Sequence, residues 1–146
     1  WISLINARRV PSIQVAIHRV LLAETERKDP VDVLVDSVIA WENLVGSRGE
    51  STLRVSMALA WLMGTDATDR ATIQKAIGGR KGLYDIRSDV VHGERTLTVM
   101  EATTKPAAAV NFALDALRAI FEKRPELLTE CKNSKERSDR LLLDDK

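Results

Sequence analysis

The stretch that decides the fold runs from residue 29 to residue 46, DPVDVLVDSVIAWENLVG. Asp29 is a good N-cap, Pro30 fits the first helical position, and Asp32 adds negative charge to the first turn. Behind these start signals Val31, Leu34, Val35, Val38 and Val45 fall on one stripe, with Trp41 close beside it. Asp32 and Asp36 lie off that stripe. Gly46 supplies the stop. The spacing predicts an amphipathic helix over 31–45.

Working towards the N-terminus, Pro11 opens a second periodic segment in which Ile13, Ala16, Ile17, Val20 and Leu21 recur at helical spacing up to about Arg27. Towards the C-terminus, a turn at 47–49 leads into a more buried helix over 50–63, with Leu53, Met57, Ala60 and Trp61 expected inward and Gly64 ending it. Asp66 or Thr68 caps a helix through Ile73 and Ile77, closed by Gly78-Gly79. Another helix is expected from about Lys81 through Val91, stopped by Gly93. The segment 95–105 is ambiguous, since TLTVM could be a short extended piece. Pro106 opens a helix with a strong stripe at Val110, Ala113, Leu114, Leu117, Ile120 and Phe121, which Pro125 interrupts. A further turn is expected at 127–131.

Beyond Cys131 the chain reads KNSKERSDRLLLDDK, and a solvated tail over 132–146, disordered or a fraying helix, is expected. Six or so helices joined by loops of a few residues imply an all-α antiparallel helical bundle, with residues 1–131 as its domain. The chain opens on Trp1 rather than Met, so a fragment of a longer protein, with a further domain elsewhere, is expected.

Bulk properties narrow the function classes. At 146 residues, with 45% hydrophobic and 29% charged side chains, the chain suits a globular domain with its own core. A net charge of +1 gives no global field for polyanions, so nucleic-acid binding must come from a local patch. Cys131 is the only cysteine, which excludes an internal disulfide, and no Cys/His group has metal-ligand spacing. No metal or other cofactor is expected, and a reducing, cytoplasmic setting is. The apolar run 57–63 is far below the roughly 20 residues that span a bilayer, and no secretory signal opens the chain.

One segment is loaded with chemistry: residues 83–94, LYDIRSDVVHGE. His92 can give and take protons near neutral pH, and Arg87 stays charged and can clamp two phosphate oxygens. RNA cleavage without a metal asks for those functions. The 2′-hydroxyl attacks the adjacent phosphate, a base takes its proton, an acid protonates the leaving oxygen, and a cation steadies the phosphoryl centre. Positions i and i+5 of a straight helix, however, stand about 140° apart and about 7.5 Å along the axis. Either the helix loosens near Gly93 so that His92 turns back, or a second subunit completes the pair. Ser88 shares a face with His92, and Asp89 could orient the imidazole. An Arg and a His at this spacing also arise by chance, the His then only complementing a helix C-terminus.

The run Leu83-Tyr84-Asp85-Ile86-Arg87-Ser88-Asp89-Val90-Val91-His92-Gly93 resembles the signature of HEPN domains, in particular the Apea-like branch, where an Arg precedes a His by four to six intervening residues. Residues 40–45, AWENLV, resemble that family's early helix with its Glu at Glu42, and residues 50–64 resemble the helix that follows. The resemblance spans about Asp29 to Phe121. It implies a helical bundle that dimerises and brings two Arg–His pairs into one composite cleft. It also implies a metal-independent endoribonuclease of antiviral defence, toxin–antitoxin pairs or RNA processing, with RNA as substrate and an antitoxin as a possible partner. Arg87 would be the phosphate-stabilising cation and His92 the acid and base, with Ser88, Asp89, Tyr84 and Glu42 in support. Many active members carry Asn, Asp or His where this chain has Ser88. Arg80, Lys81 and Arg95 form a basic stretch around the motif that could hold RNA phosphates, or an ordinary charged surface. A catalytically silent module that binds RNA or a partner, or only dimerises within a larger protein, is the alternative.

Overall fold

The computed structural model describes residues 10–46 and 52–143. A 3-10 turn (Val10–Ile13) leads into α1 (Gln14–Thr25), followed by α2 (Pro30–Val45), α3 (Thr52–Met63), α4 (Ala67–Gly78) and α5 (Leu83–Val91). Then come the long α6 (Val99–Glu122), the single turn α7 (Glu126–Thr129) and α8 (Ser134–Leu143). No described residue lies in a strand, so the expected all-α bundle is what forms. None of the described helices is long and apolar enough to cross a membrane. The turn expected at 47–49 lies outside the described residues.

Helix α2 is the axis of the bundle, touching α1, α3, α5, α6 and α8. Its start follows from the sequence signals: the Asp29 carboxylate accepts from the Val31 amide at 2.7 Å, and Pro30 occupies the first turn. Leu34, Val38, Trp41 and Leu44 are fully buried and form the centre of the core with Leu59, Ile77 and Ile120. Burying each such side chain stabilises the fold by about 1.5–3 kcal/mol. Asn43 reaches across to α1, whose N-terminus has no cap of its own; its Oδ1 accepts from the Ala16 amide at 3.0 Å.

Four expectations give way to the tertiary structure. Asp36, read as lying off the apolar stripe, is 2% exposed and lies between Arg19 and Arg27, each 2.7 Å away. Helix α1 packs along that side of α2, and a buried carboxylate persists there because two guanidinium groups neutralise it. Helix α3 turns a different face inward than its large side chains suggest. Leu53 is 54% exposed and Met57 and Trp61 lie at the surface, whereas Val55, Ser56, Ala58, Leu59 and Leu62 are buried along with Ala60. Small residues at this face let α4 come close: a Cβ on Gly78 would lie 2.4 Å from the Ser56 hydroxyl. Trp61 instead lies under the Arg70 guanidinium, 4.0 Å from its ring centre.

The third change concerns residues 99–105, which are helical, so that Pro106 lies inside α6 rather than opening it. A capping box starts the helix: the Thr98 hydroxyl accepts from the Glu101 amide at 3.2 Å, and the Glu101 carboxylate accepts from the Thr98 amide at 3.0 Å. Fourth, the stretch after Cys131 is no solvated tail, since residues 134–143 form α8. Its Arg137 is fully buried and donates to the carbonyls of Leu44 at 2.7 Å and Asn43 at 2.9 Å, and to Ser12. These are carbonyls at the C-terminal end of α2 that the helix itself leaves unpaired. Burial pulls the Arg137 pKa down from its ordinary value. Arg54 of α3 pairs with Asp139 and bonds Ser138 at 2.9 Å, fixing α8 from a second side.

Candidate active site

Helix α5 is held at both ends by local chemistry. At its start Gly82 is the N-cap, and the Lys81 amide donates to the Asp85 carboxylate at 3.0 Å. At its end His92 is the C-cap and Gly93 takes a left-handed conformation at φ 74°. The Gly93 amide donates to Val90 at 3.2 Å and the Glu94 amide to Asp89 at 2.8 Å, the paired bonds of a Schellman motif. The His92 amide still donates to the Ser88 carbonyl at 3.0 Å. The helix is therefore intact up to His92. Its imidazole is solvent-exposed, with exposed Val91, Val99 and Met100 close by in the chain.

Arg87 belongs to a different face. It lies one turn after Tyr84, and its half-buried side chain carries an Nε with no hydrogen-bond partner. Tyr84 is buried, its ring 5.8 Å from that of Trp41, and its hydroxyl donates to the Glu42 carboxylate at 3.4 Å. Burial, reinforced by the Glu42 charge, pushes the Tyr84 phenol far above its ordinary pKa, while the Arg87 charge pulls the other way. Glu42, exposed at the end of α2, thus faces the helix that bears the motif. Trp41 is core, as its stripe suggested.

Of the two geometries open to the sequence, the helix does not loosen within the motif. Continuous backbone bonding leaves Arg87 and His92 about 140° apart around the axis, and one chain does not bring them together. Ser88 and Asp89 are half-buried on the His92 side, and each supports the helix end through its carbonyl. Arg95 donates to Glu101 at 2.8 Å and serves the start of α6. Hydrogen bonds from the Thr98 amide and from Arg95 hold the Glu101 carboxyl down at about 2.

Arg80 and Lys81 sit at the opposite end of α5, where with Lys75 of α4 and Lys105 of α6 they line a groove of about 500 Å³. Lys75 and Lys105 escaped the sequence reading because they are far from the motif in the chain, and Lys105 fell in the segment read as ambiguous. His18 is exposed on α1. Among the described residues no three His, Cys, Asp or Glu side chains converge to hold a metal ion. The chain matches no family model, no curated protein and no solved structure.

Proposed function

We propose that this chain is a HEPN-type, metal-independent endoribonuclease domain that acts as a homodimer. The observation that carries the reading is an exposed His92 at the C-cap of the helix whose preceding turn carries a half-buried Arg87 with no ion-pair partner among the described residues. Within that reading Arg87 stabilises the phosphoryl centre, and His92 takes the proton of the attacking 2′-hydroxyl and returns one to the leaving 5′-oxygen. Since the two groups diverge around α5, the second subunit supplies the missing partner. The run of exposed apolar side chains near His92 is a surface that such a subunit would cover. Glu42 and Tyr84 support the Arg87 face. A role in antiviral or stress defence rests on the resemblance alone.

Single-stranded RNA incubated with the protein and EDTA is expected to yield 2′,3′-cyclic phosphate ends. His92→Ala and Arg87→Ala should each lower the rate by at least about a hundredfold, the scale of a positioned acid–base group. Cleavage indifferent to both substitutions would remove the proposal. The divergence of the pair favours one other reading, a module that binds RNA or a partner without cutting. RNA affinity with no turnover by the wild-type dimer would select it.

A further inference from the structure

The groove between α4, the turn at 79–82 and α6 has an unusual electrostatic character. Four cations line it, Lys75, Arg80, Lys81 and Lys105, and no carboxylate does. None of the four has an ion-pair partner among the described residues. Elsewhere Arg19, Arg27, Arg54, Arg95, Arg118, Arg124, Lys135 and Arg140 are matched to Asp or Glu, while the other described cations without an ion pair, Lys28, Arg70, Arg87, Lys123, Lys132 and Arg137, do not line this groove. A chain of net charge +1 has thus left a set of positive charges unneutralised in one concavity. The groove also carries the half-buried ring of Phe112 and apolar wall from Leu83 and Ala108.

We infer that this groove binds a single-stranded RNA backbone. Unpaired cations tracking phosphates, interleaved with an aromatic side chain on which a base can stack, are what strand-binding surfaces combine. An acidic peptide would satisfy the charges but make no use of the ring. The groove adjoins Leu83, and His92 lies nine residues further along the same helix, about 14 Å along its axis but about 180° around it. Groove and imidazole thus occupy opposite faces of α5, and strand binding in the groove does not depend on the nuclease reading.

Fluorescence anisotropy with a uridine oligomer about twelve nucleotides long, within the range such sites cover, tests it on the His92→Ala protein, which leaves the probe uncut. Lys75→Ala with Lys105→Ala is expected to weaken binding at least tenfold and to flatten the slope of log affinity against log salt by about 1.4, near 0.7 per cation lost. Lys28→Ala, the same charge change outside the groove, should leave affinity within twofold. Unchanged affinity in the double variant would overturn the inference, even if wild-type protein cuts RNA. Displacement of the probe by poly-glutamate as readily as by unlabelled RNA of equal charge would also overturn it, assigning the groove to an acidic protein. Groove-dependent binding by a protein that never cleaves would uphold the groove and remove only the nuclease reading.

Discussion

A single phenol carries much of the information about the α2–α5 junction. Tyr84 is the only tyrosine in the chain, so its titration can be followed without interference. Its folded pKa is raised by burial and by Glu42, and the unfolded phenol ionises near 10. The sign follows: the folded state prefers the neutral phenol, stability is unaffected below about pH 10, and it falls as pH rises beyond that. Tyrosinate absorbance is expected to appear only together with loss of helical circular dichroism, and Tyr84→Phe should remove that alkaline sensitivity. A phenol titrating near 10 in a still-folded protein would show that Tyr84 is not buried against Glu42 in solution.

Among the helices, the end of α5 and the start of α6 are the most chemically specified. Gly93 has open space around a hypothetical Cβ, so only its positive φ demands glycine. Gly93→Ala is expected to cost about 1–2 kcal/mol in chemical denaturation. At the start of α6, Glu101 holds its carboxyl at about 2 against an ordinary 4.5. A depressed folded pKa adds stability that is present above the unfolded value and disappears as pH falls through the folded one. The stability gap between wild type and Glu101→Gln should therefore shrink between pH 4.5 and pH 2 and be constant above that window.

How far the helices were legible depends on what kind of signal each carried. The caps at Asp29 and Asp66 and the stop at Gly93 are local, and the structure uses all three. Thr98 and Glu101 carry an equally local S/T-x-x-E signal, which the reading of TLTVM as an extended piece left unused. The inverted face of α3 could not be read locally, because the choice between Leu53-Met57-Trp61 and Val55-Leu59-Leu62 is made by how closely α4 approaches Ser56. At the candidate site, the helix bearing Arg87 and His92 and its stop were readable. The isolation of the two side chains from one another was readable as a spacing problem, whereas the cationic groove required α4 and α6 to be placed side by side.

For the molecule as a whole, closure depends on Arg137. Its guanidinium serves the carbonyls at the end of α2 and Ser12 next to α1, in place of any carboxylate. Arg137→Met would fit the space yet strand two buried acceptors, each worth about 1–3 kcal/mol. A loss of roughly 2–6 kcal/mol in urea unfolding is expected on that basis, with α8 becoming the first segment to exchange its amides. An unchanged midpoint would mean that α8 is not integral to the fold.

The same contact sets a clock on synthesis. The Leu44 carbonyl and the Arg137 guanidinium that bonds it are separated by 93 residues. At about 5–20 residues per second, a ribosome needs roughly five to twenty seconds to make that donor after its acceptor has been translated. For the latter part of that interval the nascent chain contains Arg87 and His92 but lacks the piece that seals the bundle around α2. Mature tertiary structure is thus a late event for this polypeptide, because the carbonyls at the end of α2 wait for their donor until α8 has left the exit tunnel.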